Sequence, residues 1–183
     1  MTDSETARRF EAMAAPHLDA AYNLARWLAR DPHDAQDVVQ EAYLRAYRYF
    51  PSFRGGEARA WLLAIVRNTF YSWVQANRRG GATVEYDEAQ AGLSGMEAQQ
   101  DETLHGSDPA ALWLRAAERQ LVESALLRLP AESREILVLR ELEELSYKEI
   151  AGILGVAMGT VMSRLSRARI RLRAEIEAME GTP

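Results

Sequence analysis

The residues best suited to chemistry gather near the end of the sequence. Residues 157–173, "AMGTVMSRLSRARIRLR", hold five arginines and no acid, in a chain of 183 residues with a formal net charge of −5. At helical spacing Thr160, Ser163, Arg164, Arg167 and Arg171 share one face, and Val161 and Leu165 share the other. Hydroxyls and guanidiniums in a row suit the base edges and phosphates of a DNA major groove. A solvated face on an ordinary amphipathic helix is the simpler reading of any arginine run. The preceding residues weigh against it. Ser146 followed by Glu149 is a capping box that starts a helix. Ala151 is small enough for a second helix to cross closely, Gly155 can take the positive φ of a tight turn, and Val161 follows six residues later. That is the spacing of a helix-turn-helix.

A second basic segment lies far from the first. Residues 54–79 hold five arginines against one acid, Glu57, interleaved with Trp61, Phe70 and Trp73 and preceded by Phe53. Unpaired bases need stacking surfaces and their phosphates need cations, so this mixture suits single-stranded DNA. Arg54, Arg67, Arg78 and Arg79 are the expected phosphate contacts. Trp61 and Phe70 recur at helical spacing and are expected in the core. Between the basic segments, residues 85–108 carry seven acids and no lysine or arginine. Catalytic chemistry finds no support. His17, His33 and His105 are scattered, there is no cysteine, and no Walker-type glycine loop is present. No metal, cofactor or catalytic residue is expected.

The elements that must position these groups read as helices throughout, so the predicted fold class is all-α. Pro16 interrupts a first helical stretch, and Asp31 with Pro32 opens the next. Pro51 and the Gly55–Gly56 pair end it, and helical periodicity resumes through Trp61, Ile65 and Trp73. Glycines and acids then predict a flexible acidic linker over residues 80–107, between small helical domains at 1–79 and 108–183. A chain of this length can bury one ordinary core or two small ones. In the second half Pro130 opens a short helix expected to turn Ile136, Leu137, Leu139 and Leu142 inward. No apolar run reaches the roughly 20 residues of a membrane span, and the polar start lacks the apolar centre of a signal peptide. A cytoplasmic location without membrane insertion is expected.

Three stretches in this order, "DAQDVVQEAYLRAYRYF", "FRGGEARAWLLAIVRNTFYSWVQANRR" and "LPAESREILVLRELEELSYKEIAGILGVAMGTVMSRLSRARIRLR", resemble the extracytoplasmic-function (ECF) group of bacterial RNA polymerase sigma factors. The resemblance implies two helical domains. The first (sigma region 2) binds core RNA polymerase and melts the minus-ten element; the second (region 4) binds the minus-thirty-five element of promoter DNA. It implies polymerase contact at Asp37, Gln40, Glu41, Leu44 and Arg45. Asp37 and Glu41 are like charges four apart, which hints at a basic partner. For the minus-ten element it implies the loop from Phe53 and Arg54, with Trp61, Arg67 and Asn68. For the minus-thirty-five element it implies Thr160, Ser163, Arg164, Ser166 and Arg167. Many relatives carry a basic residue where this chain has Met162, and methionine cannot pair with guanine in bidentate fashion. An anti-sigma factor is an expected partner.

Two other readings stay open from the residues. A helix-turn-helix response regulator would share "REILVLRELEELSYKEIAGILGV" but needs an α/β receiver domain. A sigma-like decoy for an anti-sigma factor would be expected to lose its recognition-helix arginines.

Overall fold

The computed structural model describes residues 3–79 and 109–181, the side chains at 3, 78, 79 and 109–114 excepted. The predicted linker at 80–107 lies outside the described residues. Among the described residues there are eight α-helices and no strand, in agreement with the all-α expectation.

The first half is built from four helices. Helix α1 (Asp3–Ala14) ends in a 3-10 turn at Ala15–His17, because Pro16 cannot donate to the helical ladder. Helix α2 (Leu18–Ala29) stops at Arg30, which sits at φ 65°. Asp31 then caps α3 (Pro32–Tyr49), its Oδ1 accepting from the backbone N–H groups of His33 at 2.8 Å and Asp34 at 3.1 Å. A second 3-10 turn, Phe50–Ser52, leads into Gly55 and Gly56 at φ 87° and 107°, a conformation that only glycine adopts without strain. Helix α4 (Ala58–Arg79) follows. Helices α2, α3 and α4 pack on one another through Leu24, Leu28, Val38, Leu63, Val66 and Phe70, all fully buried. Each such side chain contributes about 1.5–3 kcal/mol by leaving water.

The second half starts with α5 (Pro109–Arg128) and α6 (Ala131–Leu137). Leu142 departs from the expectation: Ile136, Leu137 and Leu139 are buried, but Leu142 is 47% exposed. The cause is a π-helical turn, Val138–Leu142, closed by the Glu143 N–H donating to the Val138 carbonyl at 2.9 Å. The wider turn adds a residue and rotates the following side chains. Glu143 therefore takes an inward position. Helix α7 (Tyr147–Leu154) is capped as its sequence predicts. The Ser146 Oγ accepts from the Glu149 N–H at 3.2 Å, and the Glu149 carboxylate accepts from the Ser146 N–H at 2.8 Å. Gly155, at φ 65°, makes the turn into α8 (Met158–Glu180).

The two halves do not keep separate cores. Helix α4 packs against α7 and α2 against α6. One apolar cluster runs from Leu24, Leu28, Leu63 and Phe70 across to Leu139, Ile150 and Ile153.

Candidate nucleic-acid interface

Helix α8 carries the first candidate surface. Val161, Leu165 and Ala168 are buried against α6 and α7, which fixes the rotation of the helix. Its opposite side presents Met162, Ser163, Ser166, Arg167 and Arg171 to solvent, with Thr160 and Arg164 half-buried at the edge. The Ser163 hydroxyl donates to the Thr160 carbonyl at 3.0 Å, and the Arg167 Nε donates to the Ser163 carbonyl at 3.3 Å. Both are contacts within the helix, and Arg167 is exposed. The arginines are not equivalent. Arg171 donates to the Ser133 hydroxyl of α6 at 3.2 Å, and Arg169 forms an ion pair with Glu141 at 2.6 Å. Met162, 55% exposed, stands in the row that a groove would read.

The second candidate surface runs from Phe53 along α4. The Phe53 and Trp61 rings pack 4.8 Å apart, and Phe53 also stacks on Phe50 at 6.5 Å. Phe70 is core, as its spacing predicts, whereas Trp61 is only half-buried and closes the edge of the small cluster formed by Ala14, Ala46 and Leu62. Arg54 and Asn68 are exposed. Arg78 and Arg79 belong to α4, but their side chains lie outside the described residues. Arg67 points elsewhere. It forms an ion pair at 2.7 Å with Glu135 of α6, and its guanidinium lies 4.8 Å over the Tyr71 ring.

Helix α3 holds the candidate docking face. Ala35, Val38, Val39, Ala42 and Ala46 are buried, so the opposite side must face out. Asp37, Gln40 and Leu44 are exposed, and Glu41 and Arg45 are half-buried. Leu44 at 52% and Tyr47 at 37% exposure put apolar area beside these polar groups. The repulsion expected between Asp37 and Glu41 is relieved locally, because Glu41 pairs with Arg45 at 2.7 Å one turn on.

Several charged residues with defined roles have no signal in the sequence. Arg134 is fully buried, and its Nη1 donates to the Leu127 and Leu129 carbonyls at 3.1 and 3.0 Å, holding the end of α5. Glu135 is 1% exposed and faces Arg67 and the Tyr71 hydroxyl, which donates to it at 3.4 Å. Burial pushes the Glu135 carboxyl up to about 7, against the pull of Arg67 and Tyr71. Glu143 accepts from Asn23 of α2 and pairs with Arg59 of α4, whose Nη1 also donates to the Glu143 carbonyl at 2.8 Å. Opposite-charge partners far apart in sequence leave no periodic trace. Among the described residues no group of histidines and carboxylates could hold a metal ion, and no helix is long and apolar enough to cross a membrane.

Comparison with known proteins places this arrangement. Residues 13–80 match the family model for sigma-70 region 2, and residues 119–172 match that for sigma-70 region 4. The ECF RNA polymerase sigma-E factor of Escherichia coli K12 is 38% identical over 149 residues, covering 80% of this chain and 75% of its own. The ECF RNA polymerase sigma factor SigE of Mycolicibacterium smegmatis is 34% identical over 169 residues; the match takes in 90% of this chain and 60% of the relative's length. Among solved structures, the sigma factor RpoE of Bartonella quintana, in complex with the anti-sigma factor NepR, aligns at a TM-score of 0.70 with 31% identity, over 93% of this chain and 98% of its own. CnrH in complex with the cytosolic domain of CnrY aligns at 0.62 with 26% identity, over 93% and 89%. With both region models matched in order, and a relative of this identity covered over three quarters of its length, the chain belongs to the ECF group of sigma-70 family RNA polymerase sigma factors.

Proposed function

We propose that the protein binds core RNA polymerase and directs promoter-specific initiation, without catalytic chemistry of its own, in the cytoplasm. The observation that carries this is the exposed row of hydroxyls and arginines on α8, held outward by a buried Val161–Leu165–Ala168 stripe beyond the Gly155 turn. A decoy would have no use for that row. In this reading residues 108–183 contact the minus-thirty-five element through Thr160, Met162, Ser163, Arg164, Ser166, Arg167 and Arg171. Residues 1–79 contact and open the minus-ten element through Phe53, Arg54, Trp61, Arg67, Asn68, Arg78 and Arg79. Asp37, Gln40, Glu41, Leu44 and Arg45 dock on the polymerase, with Leu44 and Tyr47 supplying the apolar centre that a helix-on-helix interface needs. An anti-sigma factor is a further partner, as NepR is for the Bartonella protein.

The test is in vitro transcription with core polymerase over a library of promoter fragments. Initiation at a defined subset of promoters, dependent on this protein, is the expected result. A library transcribed no differently from core alone would overturn the proposal.

A further inference from the structure

Helix α1 has no part in the contacts assigned above, yet it carries a residue on which the loop before α4 depends. Of residues 53–57 only Phe53 is half-buried; Arg54, Gly55, Gly56 and Glu57 are exposed. No atom beyond the adjoining residues lies within 4 Å of where a side chain would start on Gly55 or Gly56, so nothing braces the loop there. Its anchor is the Phe53 ring, which sits between Phe50 at 6.5 Å and Trp61 at 4.8 Å. The Phe53 N–H also donates to the Phe50 carbonyl at 3.0 Å.

Phe50 is in turn held from α1. Its ring lies 5.5 Å from that of Phe10, edge to face. Phe10 makes two further edge-to-face contacts, both with α3: Tyr47 at 5.4 Å and Tyr43 at 6.3 Å. The Tyr43 hydroxyl donates to the Ala14 carbonyl at 3.1 Å and ties down the end of α1. Edge-to-face packing is directional, so a ring at position 10 sets the planes of its neighbours as well as filling space. Phe10 packs on the small cluster of Ala14, Ala46 and Leu62, which is distinct from the larger core.

We infer that Phe10 is a positioning residue for minus-ten recognition: through Phe50 it sets the Phe53 ring, and with it the place of the Phe53–Arg54 loop. Phe10 itself need not touch DNA. The positioning stands on the ring contacts; its consequence for promoter choice rests on the function proposed above.

Phe10→Leu is the test, since leucine keeps an apolar side chain and loses the ring. The residue lies outside the larger core, so the variant should fold, with circular dichroism as the check. Phe10→Tyr keeps a ring and serves as the rescue. The first readout needs no DNA. Hydrogen exchange in the free full-length protein reads the Phe53 amide, whose bond to the Phe50 carbonyl opens when the loop loosens. Phe10→Leu should quicken that exchange roughly two- to tenfold, the worth of one aromatic pair, and leave the amides of α2 unchanged. Equal quickening in α2 would mean a general loss of stability and would overturn the assignment. The second readout is transcription by the holoenzyme over promoters randomised in the minus-ten element, at saturating protein so that core affinity does not enter. Phe10→Leu should relax base preference at the positions that Phe53→Leu relaxes and leave the minus-thirty-five preference intact. Combined with Phe53→Leu it should add less than its own effect, because both act through one chain of contacts. Phe10→Tyr should return the profile of the unaltered protein. An unchanged Phe53 amide, relaxed preference after Phe53→Leu but none after Phe10→Leu, full additivity, or no rescue by tyrosine would overturn the inference. A faster Phe53 amide with no change of profile in Phe10→Leu or Phe53→Leu would keep the positioning of the loop and overturn its part in promoter choice, and with it the DNA role proposed for Phe53.

Discussion

Arg167→Ala separates the two contacts a groove-facing cation can make. Arg167 is exposed, and its recorded bond is the long 3.3 Å contact from Nε to the Ser163 carbonyl in its own helix. Losing it should change folding stability by no more than about 0.5 kcal/mol, since alanine is at least as good a helix former. Any larger effect on transcription must then come from DNA. A phosphate contact adds about 0.9 to the slope of log affinity against log salt and acts on all promoters alike. A contact to a base edge costs roughly 1–3 kcal/mol when lost, about fivefold to 150-fold, and relaxes preference at one position. Met162 provides the reverse test. It is 55% exposed on the same side of α8, so Met162→Arg adds a guanidinium to that row without disturbing the core. The assay is transcription by the holoenzyme over promoters randomised in the upstream element, at two salt concentrations. We expect Arg167→Ala to lower output that depends on that element and Met162→Arg to change the preferred bases. Affinity for core polymerase should stay constant in both, because α3 and not α8 is assigned to it. If both variants returned the library profile of the unaltered protein, α8 would not lie in the groove.

Four further outcomes follow from particular contacts. Asp37→Arg with Glu41→Arg reverses two charges on the outer side of α3 and should weaken core binding at least tenfold in a titration while the helical signal is retained; equal affinity would remove α3 from the interface. Ser146→Ala removes the acceptor of the Glu149 N–H and should cost about 0.5–2 kcal/mol in denaturant unfolding, with no cost pointing to a cap replaced by water. Gly155→Ala meets no atom within 4 Å of the new Cβ, so the cost should be backbone strain alone, about 1–2 kcal/mol at φ 65°; a larger loss would mean a steric clash. The buried Glu135 carboxyl is raised to about 7 by burial and by Glu132 against the opposing influence of Arg67 and Tyr71, so the folded protein favours its neutral form. That contribution to stability is full below about pH 4.5 and is lost as pH rises through about 7, so stability in denaturant unfolding should fall from pH 6 to pH 8 and Glu135→Gln should flatten the change.

Features governed by a few neighbouring residues were legible in the sequence. Asp31 before Pro32, Ser146 with Glu149, Pro16 and the turn at Gly155 each act through bonds within four residues, and each does in the structure what its sequence predicts. The rotation of α8 was legible for the same reason, since Val161 and Leu165 define the buried stripe and so the exposed one. Leu142 fails that logic because helical periodicity assumes 3.6 residues per turn, and the π-helical turn beginning at Val138 does not keep it. The turn brings Glu143 inward, where Arg59 and Asn23 from the other half receive it.

Arg67 shows a different limit. Its type and its place among aromatics suggested a phosphate, and a guanidinium does prefer an anion. Residue type cannot say which anion. In the structure the anion is Glu135, whose acidic side chain at a buried helical position would, on composition alone, have been placed on the surface. Burying it is costly, as its raised titration shows, and an apolar residue there would serve the core better. Because burial raises the Glu135 carboxyl to about 7, the ionised form that pairs with Arg67 is the costly one, and Arg67 offsets that cost only in part.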